Sequence, residues 1–214
     1  MRPFRDREDA ARQLADALAP WRGKHAVLYA IPRGAVPIAA ILADELDADL
    51  DVVLTHKLGA PGNPEYAVGA VAESGWSHIQ YRGGDVDDAY IERETAAQLE
   101  RLRERRRNYG AARVSAKGRI AIVVDDGLAT GATMVAALHA LREQQPSRLI
   151  CAVPVAAADS LRRVRALADE VVCLRAPEDF HAVGQFYDHF GQVDDALVIT
   201  TLHRARTAPP PTKH

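Results

Sequence analysis

The sequence predicts an α/β protein built on one mostly parallel sheet with helices on both faces. Three observations carry that expectation. Short β-branched runs recur along the chain, each followed by a breaker-rich turn and then by apolar residues at helical spacing. These runs, such as residues 120–124, are continuous rather than alternating, as strands covered on both faces require. At 214 residues and 48% apolar content the chain can bury one substantial core, so a single domain with an appended element is expected.

Taken in order, residues 6–20 place Ala10, Leu14 and Leu18 at helical spacing behind early acids, predicting an amphipathic helix at the sheet edge. His25 to Ile31 reads as a buried strand, Pro32-Arg33-Gly34-Ala35 as a turn and Val36 to Leu46 as a helix. Leu50 to Thr55 is the next strand. It runs into residues 56–66, where two Gly and two Pro within six residues predict an adjustable loop with no regular element. Lys57, directly after that strand, can reach an anion as a mobile point charge.

Ala67 to Ala72 and Trp76 to Tyr81 form a predicted hairpin around Glu73-Ser74-Gly75. Glu73 either orients Lys57 or a substrate hydroxyl from the mouth of a site or, as turn acids more commonly do, faces solvent. A helix follows over residues 86–108, with Ile91, Thr95, Leu99 and Leu102 as its inward stripe. Arg101, Arg103, Arg105, Arg106 and Arg107 are interleaved with Glu92, Glu94, Glu100 and Glu104, which favours a solvated or subunit-facing surface over a nucleic-acid site. Strands at 120–124, at 148–153 ending before Pro154, and at 170–174, with a helix at 159–168, complete the alternation. Residues 177–190 gather three of the four Phe with Tyr187, His181 and His189, as a base-stacking surface or as a cap and dimer contact. Residues 193–202 predict a short helix and 207–214 a disordered tail.

Composition excludes several classes. A formal charge of −2 implies no global attraction to nucleic acid, and no apolar run reaches the length of a membrane span. The first residues lack a signal-peptide core, so a cytoplasmic location is expected. Cys151 and Cys173 sit in apolar runs without metal-ligand spacing and are expected to be buried thiols.

The chemistry concentrates in residues 123–133, Val-Val-Asp-Asp-Gly-Leu-Ala-Thr-Gly-Ala-Thr. Small residues there let backbone N–H groups approach an anion at a helix N-terminus, and Thr130 and Thr133 add hydroxyl donors. Asp125 and Asp126 repel a phosphate unless they face a sugar diol or a cation carried with it. A phosphorylated sugar satisfies both halves. Parallel strands bring this loop and the Arg33-Gly34 turn to a common crevice.

This stretch closely resembles the phosphoribosyl-pyrophosphate (PRPP) motif of type I phosphoribosyltransferases: apolar residues, two acids, a spacer, then Thr-Gly-x-Thr. The resemblance implies that fold with a small hood, and a single domain over 1–206. The core would span about 21–175, a mobile-loop insertion about 82–116 and an acceptor-binding hood about 176–203. It implies Asp125 and Asp126 on the ribose hydroxyls, and Ala129, Thr130, Gly131, Ala132 and Thr133 around the 5′-phosphate. Arg33 and Gly34 would hold pyrophosphate, in a loop that in this family often contains a cis non-proline peptide, and Lys57 would contact the phosphates. Arg33, Lys57, Asp125 and Asp126 are thus the catalytic candidates.

The implied reaction replaces pyrophosphate at the anomeric carbon with a nitrogenous acceptor, such as a nucleobase. Mg²⁺ is carried with PRPP, the chain itself holds no metal, and a homodimer is expected. Ala129 stands where 6-oxopurine enzymes usually carry Asp, which disfavours hypoxanthine and guanine. Together with Lys-Leu-Gly-Ala-Pro-Gly-Asn-Pro, the aromatic tail resembles a bacterial group whose acceptor is unassigned. Alternatives are a PRPP-sensing regulatory or nucleic-acid-binding protein without turnover and a phosphorylase-like enzyme using the same crevice.

Overall fold

The computed structural model describes residues 2–110 and 113–207. In chain order the elements are α1 (Arg7–Ala17), β1 (Val27–Ala30), α2 (Val36–Leu46), β2 (Asp49–Val52), β3 (Thr55–Ala60), β4 (Asn63–Ala72), β5 (Ser77–Ile79), α3 (Asp88–Tyr109), β6 (Ile120–Val124), α4 (Ala132–Arg142), β7 (Arg148–Val155), α5 (Ala158–Arg165), β8 (Glu170–Arg175) and α6 (Asp195–Thr207). Five strands form a parallel sheet in the order β2-β1-β6-β7-β8. The chain winds one way from β1 to β2 and the other way from β6 to β8. The loops leaving β1 and β6 therefore diverge, and a crevice opens between them at the carboxyl ends of the strands.

Alternate strand residues face opposite helix layers. Leu28, Ala30, Ile122, Val124, Ile150 and Ala152 pack with Leu14 of α1 and Ile38 and Leu42 of α2. On the other face Val27, Tyr29, Ala121, Val123, Leu149 and Cys151 pack with Met134 and Leu138 of α4 and Leu161 of α5. The central strands β1, β6 and β7 are covered on both faces, which is why they read as unbroken apolar runs, whereas β8 at the edge is half-buried throughout. Both cysteines are free thiols; Cys151 is buried and Cys173 half-buried.

The stretch expected to be an irregular loop instead supplies the first hairpin of a three-stranded antiparallel flap, β3-β4-β5. Pro61 and Gly62 are the two residues of a turn between paired Ala60 and Asn63, with Gly62 at φ +70°. Proline sets the first φ of such a turn and glycine supplies the positive second one, so breakers here build a hairpin rather than exclude it. The expected Glu73 hairpin is present, with Ala70 paired to His78. Trp76 then stacks on His139 of α4 at 5.2 Å, joining flap to core. The strand expected to end at Pro154 continues to Val155, which pairs with Arg175. Pairing with β6 stops at Ala152, so that side asks no donor of Pro154.

Helix α3 starts at Asp87, whose side chain accepts from Tyr90 N–H at 2.7 Å, and stops at left-handed Gly110. Its buried stripe is Ile91, Gln98, Leu102, Arg106 and Tyr109, with Thr95 and Leu99 half-buried. Two expectations fail together here. Glu73 is not an exposed turn acid, and Arg106 is not a surface arginine. Arg106 donates through Nε to Glu73 Oε2 (2.5 Å), through Nη2 to Glu73 Oε1, through Nη1 to Asp51 Oδ1 (2.8 Å) and through Nη2 to the Val52 carbonyl (2.6 Å). Burial works against the Arg106 charge, but the Glu73 and Asp51 carboxylates more than offset it and hold the guanidinium above its ordinary value. Arg107 pairs with Glu100 at 3.1 Å on the outer side, as the interleaved charges suggest. Of the expected disordered tail, Thr207 closes α6 and residues 208–214 lie outside the described residues.

Candidate functional site

The crevice is bounded by the turn after β1 and the loop after β6. The Pro32–Arg33 peptide bond is cis. Gly34 comes so close to the acidic pair that a Cβ on it would lie 2.0 Å from Asp126 Oδ2. Only glycine allows that approach. Beyond the acids the loop turns back through Leu128, whose N–H donates to Val155 O and whose carbonyl accepts from Ala157 N–H, each at 2.9 Å. Buried Ser160 donates to the Ala129 carbonyl at 2.6 Å. Gly131, at φ +71°, then starts α4 without a side-chain cap. Ala129 and Thr130 are exposed, while Ala132 and Thr133 are half-buried. Ala132 N–H, the first of α4, donates to the Thr130 hydroxyl oxygen at 3.5 Å, and the N–H groups that follow it stand at the positive end of the helix.

Asp125 and Asp126 differ in environment. Burial pushes the Asp125 carboxyl well above the usual carboxylate range and the Asp126 charge adds to the rise, against the hydrogen bond it accepts from Asp126 N–H (2.9 Å) and the Arg7 charge. A raised folded pKa favours the protonated native state, so its stabilising effect is complete below the unfolded value and is lost as pH rises through the folded value. Asp125→Asn removes that cost and can keep the Asp126 N–H bond. We expect its melting temperature to exceed wild type by about 2–4 °C at pH 7, as ~1 kcal/mol does for a domain of this size. The gain should shrink as pH falls toward 4. A scanning-calorimetry series showing no gain at pH 7 would refute the assignment.

Asp126 is held from outside the crevice loops. Arg7 donates to Asp126 Oδ2 through Nε (3.1 Å) and Nη2 (2.8 Å), and through Nη1 to the Gly191 carbonyl (2.7 Å). Its guanidinium lies 4.0 Å over the Phe190 ring. Tyr187 donates to the Asp126 carbonyl at 2.7 Å. Much of the aromatic tail is packed within the chain. Phe4 N–H donates to Phe186 O (2.7 Å), Asp188 N–H to Phe4 O (2.8 Å), and Tyr187 contacts Phe4 at 5.4 Å and Phe190 at 4.9 Å. The cap reading therefore describes Phe186 and Tyr187, while Phe190 keeps an exposed edge.

The other candidates are less enclosed. Arg33 is exposed; its charge is felt at Tyr109, which burial and a hydrogen bond to Asp195 push up to about 12. Lys57 is exposed on β3 of the flap rather than in a loop at a strand end. Among the described residues neither side chain makes a hydrogen bond or ion pair. Arg7, Tyr187 and Ser160 do not stand out from sequence spacing. Arg7 offers a faint signal, because a cation at the first turn of a helix opposes the dipole and needs a partner elsewhere.

A cavity of about 250 Å³ lies apart from this crevice, lined by Tyr29, Asp51, Glu73, Arg106 and Gln144 where flap meets core. Among the described residues no group of three or more His, Cys, Asp or Glu is arranged to hold a metal ion. No helix among them is long and apolar enough to cross a membrane.

A family model described as "Phosphoribosyl transferase domain" matches residues 4–190. The chain belongs to the phosphoribosyl transferase family. Among family relatives, the Mycobacterium tuberculosis protein named "Putative phosphoribosyl transferase Rv0571c" is 44% identical over 211 residues. That match covers 96% of this chain and 47% of the relative, so the chain spans about half the length of the curated relatives it matches. The crystal structure of TT1426 from Thermus thermophilus is 46% identical, with a TM-score of 0.81 over 94% of this chain and 98% of that one. The AQ2163 protein of Aquifex aeolicus shares the fold at a TM-score of 0.51 and 15% identity, over 83% of this chain and 78% of that one. A phosphoribosyl transferase fold is thus what the two diverging loops are built on.

Proposed function

We propose that this family member transfers a 5-phosphoribosyl group from Mg²⁺-bound PRPP to a nitrogenous acceptor and releases pyrophosphate. The observation that carries the reading is the contact of Gly34 with Asp126, which makes one crevice of a turn rich in backbone donors and a loop that joins acids to a helix N-terminus. In this reading the 5′-phosphate lies on the N–H groups of residues 130–133 and the Thr130 and Thr133 hydroxyls. Asp125 and Asp126 take the ribose hydroxyls. Pyrophosphate lies against the Gly34 turn, with Arg33 and Lys57 as cations able to swing toward it. Mg²⁺ enters with the substrate, bound mainly by phosphate oxygens.

The bond from the anomeric carbon to the pyrophosphate oxygen breaks, the acceptor nitrogen takes that carbon, and the proton displaced from nitrogen leaves to solvent or to a base. Pyrophosphate departs with its electron pair. Catalysis comes from positioning and from charge: cations and amides stabilise the departing anion, and the Asp126 carboxylate held by Arg7 favours positive charge developing on the ribose ring. The acceptor would lie beside residues 187–191, and a homodimer is part of this proposal.

Titration calorimetry with Mg²⁺–PRPP tests it. Binding should weaken about 30-fold or more in Asp126→Asn and about 5-fold in Thr130→Val, as losing bonds to charged and neutral groups respectively implies. Unchanged affinity in both sinks the site. A screen of nitrogenous acceptors for PRPP-dependent pyrophosphate release then identifies the substrate class; PRPP binding with no turnover across the screen would favour the sensor instead.

A further inference from the structure

We propose that Arg7 is a positioning residue of the ribose subsite, locking Asp126 in one rotamer and tying that carboxylate to the 187–191 segment. The inference rests on the phosphoribosyl reading above and adds a residue that lies more than a hundred positions from the loop it serves. Three observations support it. Both contacts of the Arg7 fork with the acid converge on Oδ2, the oxygen that also abuts Gly34. Among the described residues Oδ1 receives no hydrogen bond, so it is the oxygen left to accept from a sugar hydroxyl. The remaining donor of the fork reaches Gly191 O while the guanidinium plane covers Phe190.

The geometry is specific to arginine. Its planar fork can satisfy a carboxylate, a carbonyl and an aromatic face at once, whereas a lysine ammonium can keep the charge beside Asp126 but cannot make the same set. The pair is about 85% buried, with side-chain exposures of 13% for Arg7 and 15% for Asp126. Such a pair is screened little by salt and holds its geometry better than a surface bridge. Arg7 also opens α1, whose following residues pack on the core, so the fork is presented from a rigid base. Because one guanidinium grips the acid and the 187–191 segment together, seating a ribose on Asp126 should also steady the segment beside which the acceptor is proposed to lie.

Calorimetry with Mg²⁺–PRPP on the full chain, with ligand-free melting curves and amide hydrogen exchange over residues 187–193, tests this. Arg7→Gln should weaken PRPP about 10–50-fold and Arg7→Lys about 3–10-fold, the smaller loss reflecting the retained charge. PRPP should slow exchange at 187–193 in wild type and fail to do so in Arg7→Gln at saturating ligand. No PRPP binding by wild-type protein overturns the phosphoribosyl reading and this inference with it. Wild-type binding with unchanged affinity in Arg7→Gln overturns the Arg7 role alone, and tighter binding would mean that Arg7 competes with the ribose instead. If Arg7→Gln does not fold, wild-type affinity in Arg7→Lys, or no effect of PRPP on exchange at 187–193 in wild type, overturns it.

Discussion

Arg106→Ala should lower the stability of this protein by about 3–5 kcal/mol, a fall in melting temperature on the order of 10 °C. Arg106 is 8% exposed and its guanidinium is shared between Glu73 of the flap and Asp51 of the central sheet. Removing it leaves two carboxylates facing each other in a site where Asp51 is 3% exposed. Asp51 Oδ2 keeps the Val114 N–H (3.0 Å) and Oδ1 keeps its Val52 N–H (2.7 Å), but among the described residues Glu73 is left with distant Arg113 at 3.8 Å. Urea denaturation measures the loss. Adding Glu73→Gln to the variant should recover about 1 kcal/mol or more, because an amide tolerates burial that a lone carboxylate does not. A loss below 1 kcal/mol for Arg106→Ala would show that water replaces the guanidinium without cost.

Gly34→Ala is expected to abolish measurable Mg²⁺–PRPP binding, weakening it by about 100-fold or more, while leaving the sheet folded. A methyl group there would lie 2.0 Å from Asp126 Oδ2 and 2.7 Å from its Cγ. The acid must leave the Arg7 fork or the turn must withdraw, and a displacement of ~1 Å at a positioned group costs about two orders of magnitude. The core strands on either side are untouched, so a ligand-free melt should fall by only a few degrees. Affinity within about 3-fold of wild type would mean that the two loops do not serve one ligand.

Both predictions turn on contacts between distant parts of the chain, and that marks what sequence reading could reach. The β6 strand and the α2 helix appear where their patterns place them, because unbroken β-branched runs and apolar residues at helical spacing have few other ways to be buried. The acidic loop ending in a helix start is equally local: glycine, threonine and the acids lie within a few residues of one another. Family membership follows from that same local pattern spread along the chain.

Where breakers predict an ordered but irregular loop over residues 56–66, local evidence is ambiguous. A Pro-Gly pair suits both a loop and a tight turn, and only the pairing of Ala60 with Asn63 decides between them. Glu73 and Arg106 misled for a related reason. Charged residues usually lie outside, and nothing in their own neighbourhoods tells that each is buried against the other from 33 positions away.

Residues 123–133 by themselves determined the chemical character of the crevice, since backbone donors, hydroxyls and carboxylates are properties of neighbours in sequence. The tertiary structure decided how that character is arrayed. It set Gly34 against Asp126, placed Arg7 and Tyr187 on the same acid, and packed much of the aromatic tail on Phe4. Burial, pairing and reach depend on which strands are neighbours, and the order β2-β1-β6-β7-β8 brings together side chains that the linear sequence holds far apart.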